Sequence, residues 1–222
     1  MTKWIILTFA ALLLGGCALL PTGPELDEPC EGELSVDEVI DQHWLNRDDS
    51  WRMRQSALLE LRGRKVPLEG FMMLDLGRQR LHLVAMNEMG LVFFELVVTA
   101  TDEQLIRALP QLQQQRGLTA GIAGSLRRIY LSPRPRSQDQ PRMEKTSLRL
   151  WRPLADGDLA FVFDCPGNLR ETRQTTDHES WQVVYQDYRR VSGREIPGKV
   201  IMNNFHHAVT LTLWQREVTL EP

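Results

Sequence analysis

Apolar runs and turn-forming residues alternate between residues 51 and 100. Each run ends at a glycine or at a polar cluster, which is the spacing of strands joined by tight turns. The pattern predicts four strands, at residues 57–61, 68–76, 81–86 and 91–98. If Asp75 and Glu95 face water, the side chains one position away share the opposite, buried face. That face then includes Met72, Leu74, Phe94 and Leu96.

The middle of the chain has a helical spacing instead. Residues 102–117 predict a helix with Asp102 as its N-cap, kinked or split at Pro110. Residues 118–129 predict a second helix, because apolar side chains recur there every three or four positions. Residues 132–145 are rich in Pro, Arg and Gln and are predicted to form a loop.

Strand-like runs resume in the last third of the chain. They lie at residues 148–151, 159–163, 181–188, 199–203 and 209–218. Too few long helical runs separate them for a doubly wound parallel sheet. The sequence therefore predicts an α+β fold, with an antiparallel sheet and helices inserted in its middle.

The N-terminal segment is almost continuously apolar up to residue 20. The run at residues 4–14 follows Lys3 and ends in small residues, as a cleaved signal peptide does. The tetrad Leu14-Gly15-Gly16-Cys17 resembles the bacterial lipobox, whose cysteine carries diacylglycerol through a thioether and becomes the new N-terminus. An uncleaved transmembrane anchor is the alternative, although the run is short for the roughly 20 residues that spanning requires.

The lipobox reading divides the chain into three parts. Residues 1–16 are a lipoprotein signal peptide, residues 17–33 a lipidated flexible tether, and residues 34–222 one folded domain. Several acyl chains, palmitate among them, would hold Cys17 stably in a membrane. Ala18 follows the cysteine, and its likeness to lipoprotein sorting signals favours the outer membrane, on its periplasmic face.

Composition and cysteine usage narrow the possible functions. The net charge of −3 gives no general case for nucleic-acid binding. Cys30 and Cys165 can form a disulfide in an oxidising periplasm, but the sequence leaves their pairing open. Arg127-Arg128 and the arginines at 134, 136 and 142 make a basic neighbourhood, either a solvated loop or a surface for anionic head groups or an acidic carrier.

The sequence gives little support to an enzymatic reading. The histidines at 43, 82, 178, 206 and 207 lack metal-ligand spacing, and His206 and His207 on a strand would point to opposite faces. Gly117, Gly121 and Gly124 are not spaced as a nucleotide fingerprint, and the chain contains no Gly-x-Ser-x-Gly elbow. We therefore predict a protein that is not an enzyme and that uses no metal and no cofactor.

The order of elements, together with the C-terminal block, resembles the LolB-like outer-membrane lipoproteins of the LolA/LolB superfamily. The matching segments are 181–185, Ile196-Pro197, 200–202 and the alternating stretch 209–214. The turn Asn87-Glu88-Met89-Gly90 looks like the family's protruding loop. Glu88 stands where that turn commonly has Pro. The chain therefore resembles LolB-like members of unassigned function more closely than LolB itself.

The resemblance implies a curved antiparallel half-barrel with helices over its concave face, enclosing a cavity for acyl chains. It also implies a membrane-insertion loop at Met89, Gly90 and Leu91, although Met89 can equally be an ordinary turn residue. The implied partners are the membrane, a LolA-type periplasmic carrier and its acylated cargo, with the protein itself a monomer. The candidate cavity-lining residues are Met72, Leu74, Phe94, Leu96, Trp181, Val183 and Tyr185.

Two functions of different class follow from these observations. One is an outer-membrane lipoprotein that binds or transfers an acyl-bearing ligand, which requires a hollow interior. The other is a structural or assembly lipoprotein of the envelope whose half-barrel is filled, so that the seven candidate residues are ordinary core. The presence or absence of a cavity distinguishes the two.

Overall fold

The computed structural model describes residue 30 and residues 34–61, 63–114 and 117–221. In this part of the chain, twelve strands form one antiparallel sheet, accompanied by three short helices and a π-helical turn. The strands are β1 (Ser50–Leu61), β2 (Arg64–Asp75), β3 (Arg80–Met86), β4 (Val92–Thr99), β5 (Glu103–Ala108), β6 (Gln140–Glu144), β7 (Ser147–Leu154), β8 (Gly157–Asp164), β9 (Leu169–Thr176), β10 (Ser180–Val191), β11 (Arg194–Asn204) and β12 (Val209–Glu221). The helices are α1 (Val36–Asp41), α2 (Pro110–Gln113) and α3 (Leu118–Leu126), and α3 continues into the π-helical turn Arg127–Leu131.

The sheet is open and curved, in the order β5-β4-β3-β2-β1-β12-β11-β10-β9-β8-β7-β6. Chain neighbours pair except for β5 and β6, which are the two edge strands, and β1 pairs with β12 and thereby joins the two halves. The predicted α+β half-barrel class is confirmed. Among the described residues, no helix is long and apolar enough to span a membrane.

Side-chain alternation assigns one face of the sheet to the core. On β1 the buried positions are Trp51, Met53 and Gln55, whereas Arg52 and Arg54 between them are exposed. A bulge between Arg54 and Gln55 shifts the register of β1 against β12. The expected burial of Met72, Leu74, Phe94 and Leu96 on one face is confirmed.

Helical segments cover the concave face, as predicted. Helix α3 and the π-helical turn bury Leu126, Ile129 and Tyr130 against the sheet. Trp44, which follows α1, makes edge contacts with Tyr130 and Tyr185, with ring centroids 6.0 and 6.2 Å apart. Large aromatic side chains thus fill part of the space over the concave face.

Hydrogen bonds cap the start of helix α1, and a disulfide attaches Cys30 to Cys165 after strand β8. The Ser35 hydroxyl accepts from the Glu38 amide at 3.2 Å, and the Glu38 carboxylate accepts from the Ser35 amide at 3.2 Å. This reciprocal pair is a capping box, which satisfies two backbone amides at the start of the helix. Before it, Cys30 forms a disulfide with Cys165, and its amide donates to the Lys145 carbonyl.

The strand registers define two ends of the sheet. The cavity end, so called because of the site described below, carries the turns after Leu61, Met86 and Asn204. The disulfide end carries the turns after Asp75 and Asp164, together with Cys165. The two ends are separated by the length of β1, about 40 Å at the rise of a strand.

Two predicted segments are wrong, and one strand was missed. The helix expected at 102–117 is instead strand β5 followed by α2, which begins at Pro110. The segment pairs with β4, and this pairing satisfies its backbone groups although its own side chains are mostly exposed. The loop expected at 132–145 contains the edge strand β6, and strand β9 was not predicted at all.

His206 and His207 were also misplaced by the sequence analysis. They lie in the turn between β11 and β12 rather than on a strand, and their ring centroids are 4.9 Å apart. The signal peptide, Cys17 and the tether other than Cys30 lie outside the described residues. These assignments, and the domain boundaries that depend on them, stay predictions.

Candidate functional site

A cavity of about 750 Å³ lies between the concave face of the sheet and helix α3. Strands β1, β2, β3 and β12 form one wall, and α3 from Gly117 to Leu126 forms the other. The volume falls within the range of about 300–1,000 Å³ that is typical of small-molecule sites. The concave surface is therefore hollow in this part of the molecule.

The cavity exists because small residues stand where the rest of the concave face carries large ones. Ala57, Gly70 and Ala85 line it from three successive strands, and Gly121 and Gly124 line it from α3. A β-carbon on Gly70 would meet the Leu83 side chain at 3.3 Å, so the space there is closely bounded. Leucines at 59, 61, 68, 83, 211 and 213 make up much of the remaining wall.

Gln55 lies at the inner end of the cavity and belongs to a network of three buried polar side chains, whose other two members, Gln215 and Tyr130, do not line the cavity. Gln55 and Gln215 face each other across β1 and β12, and the Gln55 Nε2 donates to the Gln215 Oε1 at 2.9 Å. Both glutamine Nε2 atoms also donate to the Tyr130 hydroxyl, at 2.5 and 3.1 Å. Burial raises the pKa of Tyr130 to about 12, so this network is uncharged at neutral pH.

The other end of the cavity reaches solvent. Leu61 and Val209 are only partly buried there, and His206 and His207 in the adjacent turn are exposed. Gln55 and Leu61 are six positions apart on β1, which corresponds to about 20 Å of strand. The cavity is thus an elongated pocket with a polar inner end and an opening at the cavity end of the sheet.

Charged and polar groups gather near this opening. Arg128, in the π-helical turn, lines the cavity and forms an ion pair with Glu179. Its guanidinium lies 5.5 Å from the ring centroid of Trp181. Asn204 lines the same region, and its Oδ1 accepts from the His207 amide at 3.1 Å.

The seven residues that the sequence singled out for the cavity do not lie together in it. Phe94 lines the cavity, whereas the other six are buried in the core away from its wall. Large apolar side chains fill space, and the hollow forms where such side chains are missing. Those six residues are Met72, Leu74, Leu96, Trp181, Val183 and Tyr185.

The sequence contains residues that form the cavity, the glycines of α3 and Arg128, but their pattern did not predict a cavity. Gly121 and Gly124 match no nucleotide fingerprint in the sequence, and in the structure they leave one face of α3 open to the cavity. Arg127 and Arg128 were grouped with a basic loop. In the structure Arg127 bonds the Thr99 carbonyl and Glu103, whereas only Arg128 reaches the cavity.

The loop between β3 and β4 projects from the cavity end of the sheet. Met89 at its tip is 88% exposed, and Leu91 is 52% exposed. The Asn87 Oδ1 accepts from the amides of Met89 and Leu91 at 3.0 and 2.9 Å, and Gly90 adopts a φ of +81°. The loop is therefore held in a fixed turn that presents Met89 to its surroundings.

Metal binding has no evident site in the described part of the chain. No group of three or more His, Cys, Asp or Glu side chains there is placed to hold an ion.

Comparison with known proteins gives a fold but no close relative. No family model matches this sequence, and no curated protein matches it. Among solved structures, a LolA superfamily protein from Nitrosomonas europaea superimposes with a TM-score of 0.54 at 8% identity, covering 86% of this chain and 95% of that one. The chain has the LolA/LolB-like fold. A structure described as an outer membrane lipoprotein-sorting protein domain, from Vibrio parahaemolyticus, has a TM-score of 0.53 at 7% identity, covering 83% and 90%.

This LolA/LolB-like fold agrees with the half-barrel that the C-terminal strands suggested. The similarity at such low identity is one of architecture: an open antiparallel sheet with helical cover. The ligand of the cavity therefore has to be inferred from the residues that line it.

Proposed function

We propose that this protein is a lipoprotein of the outer membrane that binds or transfers an acyl-bearing ligand, either a lipid or a lipoprotein, in the periplasm. The observation that carries the proposal is the cavity of about 750 Å³ under α3, with its leucine-rich wall. Burial of an acyl chain contributes about 0.8 kcal/mol per methylene, so such a wall is a favourable environment for one. The alternative of a filled scaffold without cargo accounts for no such space.

The two solved structures named above support the same reading. One is a LolA superfamily protein, and the other is described as an outer membrane lipoprotein-sorting protein domain. The lipobox at Cys17 supports attachment to the membrane where such ligands are delivered. A LolA-type carrier is the partner that this role would require.

Acyl species that copurify with the protein test the proposal directly. All of the described sheet and core lies in residues 30–221, so a secreted form that begins at residue 18 keeps the folded domain. Because this form lacks Cys17, any acyl chain detected by native mass spectrometry is ligand rather than anchor. We expect bound acyl species that organic solvent extracts from the protein.

A variant that fills the cavity should abolish this binding. Ala57 lines the cavity on β1, and Ala57→Trp would place an indole ring in the space. Ala100→Trp is the matched control, because Ala100 is exposed at the opposite end of the sheet. Loss of acyl species in the first variant but not in the second supports the proposal. Equal acyl content in a folded Ala57→Trp protein would refute it.

A further inference from the structure

The polar groups of the cavity are concentrated at its two ends. At the inner end Gln55 lines the cavity, and its hydrogen bonds to Gln215 and Tyr130 form a neutral network. The open end carries Arg128, His206 and His207, beside apolar walls on β1 and β12. A ligand that matches this wall is apolar along its length and polar where it leaves the protein.

At the open end, the charged side chain that faces the cavity is basic. Arg128 and Glu69 are the charged residues among the described cavity-lining positions, leaving histidines aside. The Glu69 carboxylate is turned to the convex face, where it accepts from the Ser56 hydroxyl at 2.8 Å and lies 3.7 Å from the Arg54 Nε. Arg128 is therefore the charge that a ligand in the cavity meets.

Arg128 is held in place and retains donors for a ligand. In the described residues its hydrogen bond runs from Nη2 to Glu179, while Nη1 lies on the α3 side, 3.8 Å from the place of a β-carbon on Gly124. The guanidinium also packs over the ring of Trp181. Burial lowers the pKa of Arg128 and the Glu179 carboxylate opposes that shift, so the group stays charged.

The two histidines add donors at the same opening. Their rings lie edge to face, and the turn that carries them is fixed by the hydrogen bond from the His207 amide to Asn204. A neutral imidazole keeps one N–H donor. An arginine with two histidines at the end of an apolar channel is suited to a phosphate or a carboxylate.

We infer that the cavity binds a single-chain amphiphile whose anionic group, a phosphate or a carboxylate, is held at the opening by Arg128 with His206 and His207. The acyl chain then extends about 20 Å along β1 toward Gln55. This inference rests on the proposed function and specifies its ligand. Glu179 competes with the anionic group for Arg128.

Four probes separate the head group from the chain: dodecyl phosphate, dodecanoate, dodecanol and inorganic phosphate. Calorimetric titration of the secreted form should give tighter binding of the two anionic amphiphiles than of dodecanol. Arg128→Met should weaken dodecyl phosphate by about tenfold or more, the size expected for a hydrogen bond between charged groups, and leave dodecanol unchanged. Arg127→Met is the matched control, because Arg127 bonds Thr99 and Glu103 instead, and it should change neither affinity.

Glu179→Gln gives a test of opposite sign. Removing the competing carboxylate should tighten dodecyl phosphate and leave dodecanol unchanged, and this result stands even if Arg128→Met fails to fold. Equal losses for dodecyl phosphate and dodecanol in Arg128→Met, with no gain in Glu179→Gln, would assign Arg128 a purely structural role. Inorganic phosphate binding as tightly as dodecyl phosphate would mean a free-anion site and overturn the inference. If no amphiphile binds the wild type although acyl species copurify with it, this inference fails and the proposed function stands; if neither is found, both fail.

Discussion

Gln55, Gln215 and Tyr130 form a buried polar cluster in which each group depends on the other two. Gln55→Leu would leave the Gln215 amide and the Tyr130 hydroxyl with fewer partners, at a cost of about 1–3 kcal/mol in unfolding free energy. Replacing all three, as Gln55→Leu, Gln215→Leu and Tyr130→Phe together, removes the unpaired groups. The triple variant should therefore recover much of the stability that the single variant loses.

Urea denaturation of the single and triple variants measures this difference. A triple variant no more stable than Gln55→Leu would show that the three side chains do not act as a unit. The same triple variant turns the inner end of the cavity apolar, so its affinity for long acyl chains should rise.

His43 makes the stability of the protein depend on pH. Burial, with the nearby Arg134 charge, lowers its pKa from 6.5 to about 4, and its Nδ1 lies 3.1 Å from the Leu45 carbonyl. The unfolded chain then takes up a proton between these two pH values while the folded chain does not. Stability is accordingly full above pH 6.5 and falls as the pH drops toward 4, by about 2 kcal/mol for this half-buried side chain.

Chemical denaturation at pH 7 and at pH 4 compares wild type with His43→Asn. The variant should lose less stability between the two pH values, by the amount that His43 contributes. An identical loss in both proteins would show that carboxylates alone account for the acid sensitivity.

At the scale of elements, the sequence predicted strands well where side chains alternate. Strands β2 to β4 and β10 to β12 follow this rule, because one face of each packs on the core. For β1 the prediction covered only residues 57–61 and missed the alternating half that begins at Ser50. Strand β5 does not follow the rule: Leu105 and Ile106 are adjacent and both exposed, and only pairing with β4 makes the segment extended. Most side chains of strand β9 are polar, and Thr172 is one of the few that are buried, so hydrophobic alternation does not identify this strand.

The cavity was harder to predict than the strands for a related reason. Hydrophobic patterning identifies side chains that fill space, such as Trp181 and Tyr185. A hollow depends on which small residues face each other across several strands and a helix, as Ala57, Gly70 and Gly121 do. That juxtaposition is set by strand register, which the sequence did not specify.

The β3–β4 loop is an element with a function of its own to test. Met89→Glu should leave folding intact, since the side chain is exposed, and should abolish lipid delivery to vesicles in a reconstituted transfer assay. Met73→Glu is the matched control, because Met73 is 58% exposed on the convex face of β2. The membrane-insertion role of the loop would be refuted if delivery is unchanged in Met89→Glu or is lost equally in both variants.

At the scale of the whole molecule, attachment depends on the predicted lipobox. Cys17→Ala in the full chain removes the thiol that diacylglycerol would modify, so the protein should be released from membranes or accumulate as its precursor. Membrane fractionation and globomycin treatment measure the two outcomes. Normal globomycin-sensitive processing of the variant would disprove the lipobox assignment.

The disulfide between Cys30 and Cys165 limits how far the cavity can lie from the lipid anchor that the sequence predicts at Cys17. It fixes the start of the folded part at the disulfide end, one β1 length, about 40 Å, from Met89 and the opening. Residues 18–30, fully extended, span at most about 45 Å. With the bond intact, Met89 and the acylated terminus reach one bilayer only if the sheet lies along the membrane or the tether is nearly taut. Reduction of the disulfide removes this limit, so the redox state of a bond at one end of the sheet sets how far the cavity at the other end can lie from the membrane.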